Sequence, residues 1–552
     1  MKKISIYLVV LLVTSAFFFS CKTDKKPAAD DKTTAESTKS DEVTITDAEM
    51  KQASQIFFDK CAGCHGSSRK GATGPSLLPD GNGKDPATKS LGAAGIRAFI
   101  ENGTPGGMPE WKGILSDSEI ELMTRFLRVD PPPIPKFGME EMKKTWNLIV
   151  PVADRPKKPE HNRNINNYFG VIMRDAGKVA IIDGDTKEKL AVLKTGFAVH
   201  ILRTSASGRY IYSVGRDGRI TMIDTYTKVP TIVAEVRGAF DSRSVEVSKY
   251  KGYEDKYLVF GGYSPSHIAI MDAQTLEPLS ITPTAGNACD GDKEFIEEAR
   301  VASIVASHTD PVWICNVKER GMVDIVDYTD PVHPKIEEIP AARFLHDGGW
   351  DYTGRYFLVA ANASNKIVVV DVPNKKLVKI IETGIKPHPG RGTNIKNKLG
   401  HLWVTSHLGE NKLSFIKTDK GPGQWTVVKE AKASGDGGGA LFVKSHPKSK
   451  HLWVDRPLNP DAKLNSSVDV FNTETLEIEK TLHAPEGVDG RAVHFEYNQK
   501  GDEVWVSYFM GEHSAIVIYD DKTLKVKKII QGDWVENPTG KFNVYNTTHD
   551  IY

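Results

Sequence analysis

The chain has almost no net charge: 72 lysines and arginines face 71 aspartates and glutamates over 552 residues. That balance removes the electrostatic case for a nucleic-acid partner. Cysteine is scarce as well, with five in the whole chain, so a disulfide framework is not what stabilises the fold. The apolar run Ile4 to Phe19 is too short for a comfortable bilayer span. With 39% apolar residues over this length, the chain can still bury substantial cores and should hold more than one domain.

Lys2 and Lys3 before the apolar run and Ser20-Cys21 after it make residues 1–21 an export signal. The position of Cys21 matches a bacterial lipoprotein box, so lipid on that cysteine would hold the mature protein at a membrane without spanning it; an ordinary cleaved signal is the other reading. Residues 22–45, rich in Lys, Asp, Thr, Ser and Ala, have too little apolar area to offset ordering entropy and read as a flexible tether.

Residues 46–130 are predicted to form a small all-α domain. Helical patterns cover Ala48 to Lys60, Ala93 to Asn102 and, after a Ser-x-x-Glu start, Ser116 to Leu127. Within it lies Cys61-Ala-Gly-Cys64-His65. Two thiols add across haem vinyl groups and the adjacent histidine ligates the iron, so the motif predicts one covalent haem c held by Cys61, Cys64 and His65. A zinc site would need a second cysteine pair, and none is near. For the other axial position Met108 fits, because glycine and proline in Gly103 to Trp111 form a loop able to cross the haem face. Met50 and Met123 compete, but Met50 precedes the motif and Met123 lies on a helical apolar face where methionine is usually core.

Asp130-Pro-Pro-Pro-Ile-Pro135 ends the helical domain, and residues 131–149 are predicted as a proline-rich linker. Beyond it one strand phrase recurs: Lys178 to Asp183, Arg219 to Asp224, His267 to Asp272, Met322 to Asp327, Lys366 to Asp371, Lys412 to Lys417, Ser467 to Asn472 and Ala515 to Asp520. Eight copies at intervals of about 40 to 55 residues predict an all-β, eight-bladed propeller over residues 150–552.

The strings Gly196 to Tyr210, Gly215 to Gly218, Arg343 to Gly349, Lys386 to Gly392 and Asn537 to Tyr545 resemble the cytochrome cd1 nitrite reductases. The resemblance implies a non-covalent haem d1 in the propeller channel, with His200 as its iron ligand. It also implies His346 and His388 as catalytic acid-base groups on the opposite face. Arg174, Arg203, Arg216, Arg243 and Arg391 would pair with the haem d1 carboxylates, with Tyr263 and Thr539 as further hydrogen-bonding candidates and Phe442 stacking beside the ring. The implied activity is one-electron reduction of nitrite to nitric oxide, fed through haem c by a small periplasmic cytochrome or cupredoxin, in a homodimer. Relatives that cap the iron use a tyrosine from an N-terminal arm, yet none stands between Cys21 and Cys61; His494 occupies a position where relatives tend to have glutamine. A haem d1 biosynthesis dehydrogenase of the same two-domain build is the main alternative, separated by retention of both His346 and His388. A quinoprotein and a non-enzymatic electron-shuttling tether are further readings.

Overall fold

The computed structural model describes residues 43–81, 87–104, 108–291 and 294–552. The predicted export signal, Cys21 and nearly all of the predicted tether lie outside them. No helix among the described residues is long and apolar enough to cross a membrane.

The helical unit starts where the chain can cap itself. Thr46 accepts the Glu49 amide at 3.3 Å, and the Glu49 carboxylate accepts the Thr46 amide at 2.9 Å, opening the helix Asp47–Ile56. Ser116 and Glu119 form the same box at the head of Asp117–Phe126. The predicted single helix up to the haem motif is instead three consecutive pieces: Asp47–Ile56, a π-turn over Phe57–Cys61, and Ala62–His65. Such a wide turn is a recurrent device at functional sites, and here it ends on the first haem cysteine. Ala53, Phe57, Ile96, Ile120, Met123 and Phe126 form a core of their own.

The predicted spacer carries more structure than its prolines suggest. Met139–Thr145 is a helix whose Met142 is buried in a propeller core, and Asn147–Leu148 pairs with Thr231–Arg237 as a fifth strand of the second blade. Seven residues are too few to show helical periodicity, which is why the pattern reads as linker.

Eight antiparallel blade sheets follow, seven of four strands and one of five, with a separate two-stranded ribbon, Gly286–Asn287 with Phe295–Ile296, between the third and fourth. The recurring phrase is the third strand outward from the axis in every blade. Neighbouring blades bury both of its faces, which explains continuous apolar runs in place of alternation. Pro538–Asn543 pairs antiparallel with Tyr168–Met173, so the last strand forms the inner edge of the first blade and closes the ring. Cys289 and Cys315 do not pair, and Cys315 is wholly buried in a blade core.

Candidate functional site

His65 is buried, and its Nδ1 lies 2.8 Å from the Pro75 carbonyl. A proton on Nδ1 donated there leaves the Nε2 lone pair for a metal and fixes the ring plane. Gly74 lies flat against that ring: a Cβ there would stand 3.0 Å from His65 Cε1. Burial lowers the His65 pKa against the opposing pull of Pro75, which favours the neutral, ligating form. Both thiols, Cys61 and Cys64, are free beside it. Met108 is half-buried, its backbone bridged to Thr104, whereas Met123 is 1% exposed within the helical core.

The second centre is a cavity of about 420 Å³ in the propeller, walled by the innermost strands of the blades or the residues just before them. His200 precedes Ile201–Thr204, which carries Arg203; Arg243 lies on Asp241–Val247, Asp347 on Leu345–Trp350 and Thr539 on Pro538–Asn543, and Phe442 precedes Val443–Lys444. Glu246 and His346 share two of these strands but are not among the residues lining the cavity. His388 and Arg391 come from the loop ahead of Thr393–Asn397. Arg174, at the end of the first-blade strand Tyr168–Met173, also reaches the wall.

Several innermost strands are irregular where side chains must be re-aimed, among them Asp241–Val247, whose pairing skips Arg243, and Pro538–Asn543, whose pairing skips Thr539. Pairing shifts between Leu345 and Gly348, the stretch holding His346 and Asp347, and between Val493 and Phe495, at His494, which sits at φ +56°. His494 lines the cavity, its ring 4.7 Å from Phe442 and 5.3 Å from Phe542 between centroids.

Arg243 is the electrostatic hub. Its Nε donates to His200 Nε2 at 2.8 Å, its Nη1 lies 3.1 Å from His346 Nε2, and it pairs with Asp347 at 3.2 Å. The His200 Nε2 lone pair therefore accepts the guanidinium N–H. His346 Nδ1 is 3.1 Å and His388 Nε2 3.7 Å from Asp347, and the two rings are 4.9 Å apart. His388 Nδ1 donates to the Leu441 carbonyl at 2.8 Å, so Nε2 is its working nitrogen. Burial drives the pKa values of His200 and His346 well below normal, reinforced by Arg243, and burial also lowers that of His388. Asp347 goes the other way: burial would raise its carboxyl, but Arg243 and the two histidines hold it well below the usual range.

The remaining candidates divide. Arg203 and Arg391 converge on the buried Glu246, Arg203 through Nε at 3.0 Å and Arg391 through Nη2 at 3.5 Å, while Arg391 Nη1 makes no hydrogen bond among the described residues. Thr539 and Phe442 face the cavity. Arg216 does not reach its wall; it forms a two-pronged pair with Asp241 and covers the Phe58 ring of the helical unit at 4.9 Å. Tyr263 is not part of the wall either; it lies near enough to Arg243 to raise the guanidinium's pKa. Sequence reasoning did not single out Asp347, Lys444 or the C-terminal residues Asp550 and Tyr552. Tyr552 lies below Arg391 and Lys444, at 5.5 and 5.6 Å from its ring. Asp347 had a signal in its neighbour His346; Tyr552 had none, since only folding brings the tail under the channel.

A mostly apolar cavity whose wall includes Arg174, Arg203, Arg243 and Arg391 suits a planar macrocycle bearing carboxylates. Comparison with known proteins agrees. Residues 163–547 match the family model described as Cytochrome D1 heme domain, and residues 48–127 match that described as Cytochrome C oxidase, cbb3-type, subunit III. A nitrite reductase of Stutzerimonas stutzeri is 49% identical over 92% of this chain and 94% of its own length. A dihydro-heme d1 dehydrogenase of Pseudomonas aeruginosa is 27% identical over 89% of this chain and 93% of its own. A solved dihydro-heme d1 dehydrogenase in complex with DHE superposes with a TM-score of 0.67 at 26% identity, covering 90% of this chain and 99% of that one. The match over most of the chain, on the strands that build the cavity, means that this protein belongs to the cytochrome D1 heme domain family.

Proposed function

We propose that this chain is a nitrite reductase that makes nitric oxide, with His346 and His388 as its proton-delivering groups. It carries one haem c and one haem d1. Haem d1 supplies the iron at which nitrite is held and the electron accepted from haem c. The observation that carries the assignment of roles is the imidazole pair gathered on one ionised carboxylate, Asp347.

Forming nitric oxide and water from nitrite takes one electron and two protons. An imidazole depressed by burial is a poor proton store by itself, and Asp347 offsets this by stabilising the imidazolium of both His346 and His388. Arg243 supplies a fixed positive charge that favours an anionic substrate in the same space. His200 is the donor for the haem d1 iron, and Arg174, Arg203 and Arg391 take its carboxylates, with Thr539 and Phe442 completing the wall. Met108 is the second haem c ligand. Retention of both His346 and His388 favours this over the dehydrogenase reading.

An export signal and a lipid on Cys21 would put the enzyme in the periplasm at a membrane surface, where a small cytochrome or cupredoxin delivers electrons to a homodimer. Protein purified from a host that makes haem d1 should show a far-red d1 band beside the haem c bands and convert nitrite to nitric oxide. A single haem per chain, or no nitric oxide, rejects the proposal.

A further inference from the structure

Between the two centres lies a side chain that neither site uses. Arg300 precedes the innermost strand Val301–Ala306 of the fourth blade and is 0% exposed. Glu319 holds three of its groups: the backbone amide at 2.8 Å, Nε at 2.9 Å and Nη2 at 2.6 Å. The remaining nitrogen, Nη1, donates out of the propeller to the carbonyls of Gly63 at 3.2 Å and Ala62 at 3.4 Å, the two residues between the haem cysteines. Behind it the guanidinium lies 5.0 Å over the ring of Tyr263, a side chain close enough to Arg243 to raise that guanidinium's pKa, and Arg243 in turn reaches His200 and His346.

Glu298 does the opposite job two residues earlier. Its carboxylate accepts the amides of Ser67 at 2.7 Å and Ser68 at 3.3 Å, and the Ser68 hydroxyl at 2.5 Å. The haem-bearing turn is thus gripped on both flanks, its carbonyls by a cation before His65 and its amides by an acid after it.

We propose that Arg300 is the positioning residue that seats the haem c turn on the propeller and, through Tyr263 and Arg243, couples it to the channel. This rests on the reading of Cys61 to His65 as the haem c attachment. A buried, fully paired guanidinium is costly to place at a joint between two folding units, and its rigid fork suits a contact that must hold one geometry. Arg300 touches no reacting atom. It fixes the wall across which one electron passes, leaving haem c oxidised and haem d1 reduced, with no bond made or broken.

The test uses the full chain with both haems in three forms: wild type, Arg300→Gln and Arg300→Lys. Two quantities are read: the rate of haem c to haem d1 electron transfer after rapid reduction of haem c, and the haem c midpoint potential. Arg300→Gln should slow the transfer roughly tenfold or more, because the turn loses its seat. It should also lower the potential, because a buried positive charge no longer disfavours ferric haem c. Arg300→Lys keeps the charge and loses the fork, so its potential should stay near that of wild type while transfer remains slowed. Wild-type transfer in both variants, with haem c attached, overturns the proposal. Should Arg300→Gln not accumulate, Arg300→Lys alone decides it by the transfer rate. Both quantities are measured without nitrite, so a wild-type protein inactive on nitrite would sink the functional reading and leave this one standing.

Discussion

Asp347 shows how much one side chain can decide at this site. In a regular strand, residues 346 and 347 point to opposite faces, and only one could meet the channel. The bulge between Leu345 and Gly348 lets both reach Arg243. Hence the strings draw attention to His346 and His388 as histidines, while Asp347, in the same string as His346, escapes notice because only the bulge turns it toward Arg243. Asp347 raises the pKa of both imidazoles, so Asp347→Asn should lower them further. An imidazole donates a proton only below its pKa; the alkaline loss of nitrite turnover in Asp347→Asn should therefore move to lower pH. Superimposable kcat–pH profiles for variant and wild type would deny Asp347 this role. Replacing His346 or His388 by alanine removes a donor outright and should cut turnover by about 10²- to 10⁴-fold, with haem c still reducible. Unchanged turnover in both alanine variants would reject them as the acids.

Elements were legible in proportion to their repetition. The recurring third strand announced eight blades because every copy is buried on both faces, and no copy depends on its distant neighbours to be seen. The innermost strands, which carry the chemistry, were recognisable only where a family string ran through them: they are short and bulged, and they mix glycine and charge with apolar residues. The same holds for the turns that feed them. Gly392, at φ +68°, opens the innermost strand of the sixth blade, and a Cβ there would lie 2.2 Å from the wholly buried Trp403 ring. Gly392→Ala combines a left-handed backbone with overpacking against a side chain that has no room to retreat, a loss of about 2–4 kcal/mol. Denaturant titration should show the midpoint falling; an unchanged midpoint would mean that the blade relaxes around the methyl group.

At the scale of the molecule, two kinds of core meet at a polar joint. The helical unit's core, built on Phe57, Ile120 and Phe126, includes no propeller residue. Its docking rests on Glu298, Arg300 and the Arg216 contact with Phe58, together with the exposed pair Lys70–Glu297, of which the last adds little. Polar interfaces of this kind hold orientation without merging two domains into one cooperative unit. Heating the protein should therefore give two transitions. Trp111 alone among the nine tryptophans belongs to the helical unit, so tryptophan fluorescence follows mainly the propeller, while the haem c absorbance follows the helical unit. The midpoints should differ, and adding salt should leave both nearly unchanged, because the contacts that matter are buried and weakly screened. Coincident transitions by both probes would show instead that docking at Arg300 and Glu298 is strong enough to make the chain unfold as one.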